Sequence, residues 1–531
     1  TRFRVQTVCY ISGEQEHTVK EQHAQTPPGR RLKPYLWFAL AVWTLSGIPA
    51  ALFAQDQDPP AEAPADGPAF MISEVTYRIE GRTRRWVLED LLDLEPGRSF
   101  ASEEELLAHL AQQQQQLVNQ RSLQSALVTA SYPDGDMVGG EAVLVDVLVE
   151  TEDTWNVIVL PYARYDSNTG LLLSLRGRDY NFFGTLTELE LNFDYERTDE
   201  EQDLFTISSQ FSVPFRMLER RWRLIMDQNL EIEGDEFDFD LGLGLGYMVE
   251  LFGIDWEAVY EQRYRYITND ELGDGSFLTS RVSLASGIGT GLLLGPFGEL
   301  EYQPELYAET NYRPGGSISD ARRGVTVGFD QGLAAGGFDW IGNYRRGLRL
   351  RLQNENAWNV TRDRWDTEVN AQVAAFLPLW QPDPTEWPKA GISAALGGFY
   401  LINGAEDDQD DAAADARGIL NDRMQGDVAA FLNLDALVTV WTLEPIFEAQ
   451  FGVFLDTAFV RDTRGTFGSS ALDLERDLRF GSGIEVIGFP LFARSLYVRG
   501  SLGFDLRTVI DGASPLSSDA REIFIGLGHH Y

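Results

Sequence analysis

The chain has 531 residues, 12% of them aromatic, 50 glycines and a net charge of -39. That charge excludes nucleic acid as a partner, because binding phosphate needs basic patches. Cys9 is the only cysteine, so the chain forms no internal disulfide and has no cysteine-based metal site.

Residues 1–28 match nothing downstream and read as an upstream extension. Arg30-Arg31-Leu32-Lys33 is a basic n-region. Tyr35 to Ala54 is an apolar h-region, so 29–54 reads as a secretory signal peptide cut after Ala54. The alternative is an uncleaved anchor; the short h-region and the proline-rich residues after it weigh against that. Residues 55–70 form a Pro/Ala/acidic linker, extended and solvated.

The pattern changes at Met71. Ile72 to Ile79 alternates and ends at Glu80-Gly81, predicting a strand and a turn. Trp86, Val87, Leu88, Leu91 and Leu92 have helical spacing and stop at Glu95-Pro96-Gly97. Ser102, followed by three acids, is an N-cap with carboxylates at the positive helix end. That helix runs to about Asn119. Strands follow at Leu123–Tyr132 and Ala142–Glu150. This order, with Gly81, Gly97 and the alternation of Val145, Val147 and Val149, resembles one POTRA domain over 71–153. The resemblance implies a periplasmic unit that receives unfolded strands by edge addition. One copy is present where the family usually carries several.

From Trp155 to Tyr531, within a second domain at 154–531, nearly every segment alternates with period two. Leu189, Leu191, Phe193 and Tyr195 share a face against Glu188, Glu190, Asn192 and Asp194. Phe237 to Tyr247 alternates against Asp238, Asp240, Gly242, Gly244 and Gly246. Leu496, Val498, Leu502, Phe504 and Leu506 alternate against Tyr497, Arg499, Ser501 and Asp505. Successive strand residues point to opposite faces, so each strand is apolar on one side. The strands run about 10–15 residues, longer than the usual five or six and suited to a tilted membrane crossing. Their connections alternate between tight turns, such as Phe252-Gly253 and Pro296-Phe297-Gly298, and longer acidic loops such as 269–275 and 405–417. The predicted fold is therefore mainly β: a transmembrane antiparallel β-barrel after one small α+β domain. So wide a barrel cannot pack its interior as an apolar core, so its apolar faces meet lipid.

One region of this barrel carries candidate chemistry. Arg417-Gly418-Ile419 follows an acidic loop. Asp435 and Asp456 lie in the next two alternating runs, and Asp456 stands among Phe454, Leu455 and Phe459, read as an apolar face. This arrangement resembles the C-terminal third of the BamA/TamA-type assembly barrels, the bacterial surface antigen family. There, an Arg-Gly loop folds back into the barrel. The resemblance implies an Arg417 clamp on Asp435 and Asp456, with Gly418 and Ile419 completing the motif. A planar guanidinium suits this role because it pairs bidentately with carboxylates. Arg499-Gly500 is a second such pair, set aside because it lies mid-strand. Asn181-Phe182-Phe183-Gly184 also resembles the family, at the turn after the second strand.

The resemblance further implies sixteen strands, against about eighteen by counting hairpins; an over-read hairpin at 344–378 would account for the excess. It implies a lateral seam between the first and last strands, weakened by Pro161 on one and by Gly526 and Gly528 on the other. The alternative is a plain bulge in a closed barrel. Ile523, Ile525, Leu527 and Tyr531 resemble the C-terminal insertion signal of outer-membrane barrels.

No catalytic constellation occurs: there is no His-Glu-x-x-His and no nucleophile elbow. The acidic run at 406–411 reads as a solvated surface loop rather than a cation site. The expected function is assistance in inserting, assembling or translocating client polypeptides at the bacterial outer membrane, without enzymatic chemistry or a cofactor. Its partners would be outer-membrane lipid, unfolded client polypeptides and periplasmic assembly proteins. The alternatives are a passive pore or structural barrel, and a two-partner-secretion-type exporter.

Overall fold

In a computed structural model, the described residues are 69–527 apart from 133–141, 167–169, 198–202, 269, 271, 321, 383–385, 403–409, 414, 421–422, 462–476, 494 and 518–519. The proposed extension, the signal peptide and all but the end of the linker lie outside them. So do Gly528, Tyr531 and most of the acidic run at 406–411.

The first unit is α+β. It runs β1 (Ala69–Glu80), α1 (Arg85–Leu91), β2 (Ser99–Phe100), α2 (Glu103–Val118), β3 (Leu123–Ser131) and β4 (Ala142–Asp153). The sheet order is β2-β1-β4-β3, with β1 and β4 parallel at its centre. Val145, Val147 and Val149 alternate on β4 and are buried with Ile72 against Leu88, Leu106 and Leu117 of the helices. The Ser102 hydroxyl accepts from Glu105 N at 3.2 Å, and Glu105 Oε2 accepts from Ala101 N at 2.8 Å. This reciprocal capping starts α2 where the Ser-x-x-Glu spacing dictates.

The wall of the second unit begins with β5 (Val157–Asp166), β6 (Gly170–Asp179), β7 (Leu189–Arg197), β8 (Asp203–Met217), β9 (Arg220–Glu233), β10 (Glu236–Leu251) and β11 (Ile254–Tyr266). It continues through β12 (Ser276–Ser286), β13 (Ile288–Leu293), β14 (Glu299–Tyr312), β15 (Val325–Ile341), β16 (Tyr344–Asn359), β17 (Arg364–Trp380) and β18 (Ala390–Ile402). A small pair, β19 (Asp410–Asp411) and β20 (Gln425–Gly426), stands apart from the wall. The wall ends with β21 (Val428–Leu443), β22 (Phe447–Arg461), β23 (Leu478–Pro490), β24 (Val498–Asp505), a short helix α3 (Leu506–Ile510) and β25 (Arg521–Leu527).

These strands form a closed antiparallel barrel in which β25 neighbours β5. Nineteen segments make up the wall, but β12 and β13 both pair with β14. They are two halves of one interrupted crossing, which leaves eighteen. The hairpin at 344–378 is genuine, since β16 and β17 pair from Gly347–Phe376 to Asn359–Arg364. The sixteen-strand expectation is therefore exceeded, and by real wall strands. No helix among the described residues is long and apolar enough to cross a membrane.

The two faces of the wall differ in chemistry. Leu243, Leu245, Val453, Leu455, Ile484, Val486, Ile523 and Ile525 are exposed on the outside. The residues between them point inward. Arg263 reaches Asp227 and Asp240 at 2.7 and 2.8 Å, and Arg281 reaches Glu305 at 2.9 Å. Gly242 makes room for that network: a Cβ there would lie 2.4 Å from Asp227 Oδ1. Two details depart from the sequence reading. β24 starts only at Val498, while Leu496 is buried with Ile158 and Ala493. It ends at Asp505 because that carboxylate caps α3, accepting from Arg507 N and Thr508 N at 3.0 and 3.2 Å. Leu506 is thus helical.

The first unit is seated on one rim of the barrel. Asn181, fully buried in the β6–β7 turn, donates to Thr83 Oγ1 at 2.8 Å and Asp153 Oδ2 at 3.1 Å. Gly184 in the same turn has φ +76°, and a Cβ there would lie 2.1 Å from Arg82 O. Asp90 of α1 accepts from Arg216 and Arg221 of the β8–β9 hairpin at 2.6 and 2.7 Å. Across the mouth, Arg121 donates to Gly342 O at 2.9 Å and lies over the Trp340 ring at 4.3 Å. These turns belong to hairpins nearly half the circumference apart.

Candidate functional site

The loop between β18 and β21 does not stay outside. Ala412, Ala413, Ala416, Ile419 and Met424 are buried against Phe399, Ala429, Ala458 and Val460 of the wall. Ala458 and Val460 share the inward face of β22 with Asp456, so the loop packs inside the barrel. Apolar burial carries the loop in, with roughly 1.5–3 kcal/mol each from Ile419 and Met424 and about 0.8 kcal/mol from each alanine methyl.

Arg417 lies at the loop's inner end, with 3% of its side chain exposed. Its Nε donates to Asp456 Oδ2 at 2.8 Å and its Nη2 to Asp456 Oδ1 at 2.9 Å. The Arg417 backbone N–H also donates to Asp456 Oδ2 at 2.8 Å. Nη2 makes an ion-pair contact with Asp435 Oδ1 at 2.6 Å, and Nη1 reaches Glu485 Oε2 at 3.3 Å. The guanidinium sits over the Phe454 ring at 4.2 Å. Phe454 is therefore not part of an outward apolar face with Leu455. It shares the inward face with Asp456, because their spacing is two, and gives the guanidinium an aromatic floor.

Gly418 has φ +81°, and its N–H donates to Glu522 of β25. The adjoining wall is bare backbone. A Cβ on Gly481 would lie 1.8 Å from Arg417 O, and one on Gly503 would lie 2.6 Å from Gly418 Cα. Glycines on β23 and β24 thus let the loop lie directly on the sheet. A second tie is Arg423, whose Nη1 reaches Asp505 at 3.4 Å, beside Arg479 at 2.9 Å. The loop consequently touches five consecutive strands: β21 through Asp435, β22 through Asp456, β23 through Glu485, β24 through Asp505 and β25 through Glu522.

Arg417, Gly418, Asp435 and Asp456 meet in this cluster, and Ile419 lies beside them in the apolar packing. Glu485, Glu522, Gly481 and Gly503 were missed from sequence. Glu485 carried the signal that Asp456 did: a carboxylate inside the apolar run Ile484-Glu485-Val486-Ile487. Arg499 is also buried and inward-facing on β24, over the Phe524 ring at 4.4 Å, and among the described contacts it makes no bond to Asp435, Asp456 or Glu485.

The seam residues lie on the strands next to that contact. Pro161 falls mid-β5, opposite Leu175, and β5–β6 pairing runs from Val157 to Asp166 without a register shift. Pro161 therefore makes no bulge on that side. Gly526 pairs with Arg499, and Leu527 with Val498. β25, with seven residues, and β5, with ten, are shorter than most wall strands.

No family model and no curated protein matches the chain. Among solved structures, it is similar to CdiB from Acinetobacter baumannii, with TM-score 0.47 and 14% identity over 86% of this chain and 73% of that one. It is similar to CdiB from Escherichia coli, with TM-score 0.40 and 10% identity over 89% and 92%. It is also similar to BamA from Haemophilus ducreyi lacking POTRA domains 1–3, with TM-score 0.37 and 11% identity over 86% and 85%.

Proposed function

We propose that this chain is an outer-membrane barrel that assists the insertion, assembly or translocation of client polypeptides. The apolar exterior is the lipid-facing surface and the charged interior is the aqueous one. On this reading 71–153 is a POTRA domain in the periplasm that presents unfolded segments to the mouth below it.

One observation carries the reading: the Arg417 loop, buried inside the barrel, is tied to every strand from β21 to β25. A pore needs no such device. A barrel that must hold its last strand in register while its rim engages a client does. The clamp sets the position of β25 through Gly418 and Glu522, next to the proline-containing β5. Ile523, Ile525, Leu527 and Tyr531 serve as the insertion signal of this chain's own barrel. The unbroken β5–β6 ladder and the closed wall favour the second reading, a passive pore or structural barrel.

The test is reconstitution of the protein in liposomes with a urea-unfolded barrel client, timing client folding. Arg417→Ala and a form lacking residues 71–153 are the comparisons. Acceleration that both changes abolish supports the assembly reading. Steady conductance without acceleration, indifferent to Arg417, supports the passive pore.

A further inference from the structure

Besides the break between β12 and β13, the wall is interrupted at the β15–β16 hairpin. β15 follows β14 only as far as Ala335–Leu300, and β16 pairs with β17 only from Gly347–Phe376 onward. Beyond these points, from Asp339–Arg346 to Ile341–Tyr344, β15 and β16 pair only with each other. Residues 336–341 of β15 and 344–346 of β16 thus form a two-stranded ribbon that has left its outer neighbours, with Gly347 the last residue of β16 still paired to β17.

The departure is built into the backbone. Gly336 has φ +76° and Gly347 has φ +144°, conformations that a side chain disfavours. A Cβ at Gly336 would lie 2.1 Å from Leu348 O, and one at Gly347 would lie 2.2 Å from Gly337 O. The two glycines, two residues apart in the β15–β16 register, bend both strands close to the same level.

Beyond the bend the tip lies in the lumen. Tyr344 bonds Thr439 of β21 at 2.9 Å, and Asn343 donates to Glu448 of β22 at 3.1 Å. Gln450 Nε2 donates to Asn343 O at 3.2 Å. Glu448 and Gln450 lie on the inward face that holds Asp456. The ribbon therefore crosses from its own place in the wall to strands further round the barrel. On its other side it carries the first unit: Arg121 covers Trp340, and Asn119 donates to Asp339 Oδ1 at 3.0 Å and accepts from Trp340 N at 3.1 Å.

We infer that residues 336–347 are a hinged gate. They stop the periplasmic mouth, swing on Gly336 and Gly347, and are latched shut by the Asn343–Glu448–Gln450 bonds and by the α2–β3 corner of the first unit. A two-stranded ribbon by itself is marginal in water, so its contacts decide where it rests: the end bonds and the packing of Phe338 against Ala374, Phe376 and Ala395. The end bonds are buried when the ribbon is closed, with Asn343, Glu448 and Gln450 5%, 2% and 0% exposed, and opening hands their polar groups to lumen water, so each bond adds little net hold. Movement of the first unit away from the mouth removes Arg121 and Asn119 from the tip and frees it. This inference rests on the membrane-barrel reading, not on the client-handling one.

The test uses planar bilayers and the full chain with Cys9→Ser, Asn343→Cys and Glu448→Cys. A short bifunctional thiol reagent that is cleaved by reductant bridges the two new thiols. The bridged protein is expected to lose its large open level and to regain it on reduction. Arg121→Ala is expected to lengthen open times without bridging. Replacing 338–346 by Gly-Gly is expected to abolish the closed level, with heat-modifiable mobility on gels reporting an intact barrel. If the bridged and reduced forms conduct alike, the ribbon is not a gate, whatever the deletion does. If no form conducts or floats with liposomes, the membrane-barrel reading falls and the gate with it.

Discussion

Arg417 is buried with three carboxylates in reach and a phenyl ring beneath it. A buried ion cluster contributes little net stability, because desolvation offsets attraction, but removing one partner strands the others. Loss of the guanidinium leaves Asp435, Asp456 and Glu485 uncompensated, a cost of about 3–5 kcal/mol. Lysine keeps the charge and loses the fork that meets both Asp456 oxygens. Arg417→Lys is therefore expected to keep the loop buried but weaken its hold, and Arg417→Ala to release it. Limited proteolysis of the 403–427 segment checks the order: native slowest, lysine intermediate, alanine fastest. Equal rates for all three would show that the apolar packing alone retains the loop. Arg417 and its two aspartates were legible because their order along the chain resembles a known pattern. Glu522 was not, because nothing in Arg-Glu-Ile-Phe-Ile says which loop will descend onto its backbone neighbours.

Among the elements, the connection after β11 shows how a loop is held by charge. Asp270 and Asp274 have side chains 4% exposed, and both accept from Arg322, at 2.5 and 3.1 Å. Burial alone would raise both acids. It is outweighed at Asp274 by the Ser319 hydroxyl, the Ser319 N–H and Arg322, so its carboxyl lies below the usual range. Asp270 is likewise lowered, by Arg322 and by the N–H groups of Gly275 and Leu272 acting against burial. A folded value below the unfolded one adds stability above the unfolded value, and that stability is lost as pH falls through the folded value. The loop is expected to hold its order from neutral pH down to about pH 4, the ordinary aspartate range. It should loosen only in stronger acid. Hydrogen exchange at Gly275 and Ser319 across a pH series, corrected for intrinsic rates, checks this; loosening already near pH 6 would contradict it. Element by element, alternation located the wall strands, since residue spacing alone decides which face a side chain takes. It did not locate the end of β24, which Asp505 sets by capping α3. Nor did it expose the ribbon, because residues 336–347 read like their wall-bound neighbours.

At the scale of the molecule, the outward and inward faces make opposite demands. Val453 is half exposed at the middle of β22, and Gln353 of β16 lines the lumen beside Asn370 and Asp415. If the exterior meets hydrocarbon, Val453→Arg costs about 2–4 kcal/mol, as for a basic residue at the bilayer midplane, and Gln353→Arg costs little. Reversible urea unfolding from lipid vesicles compares the two; equal costs would place Val453 away from the lipid. The sequence by itself determined the class of fold, the sidedness of the strands and the elements of the first unit except the two-residue β2, because each follows from local spacing, capping and turn chemistry. Tertiary structure alone decided between sixteen crossings and the eighteen that close the wall, and showed that a loop lies against five strands and that a ribbon turns into the lumen beneath the first unit. These outcomes depend on which backbones come close enough to bond, and glycines far apart in the chain set that only once the barrel has closed.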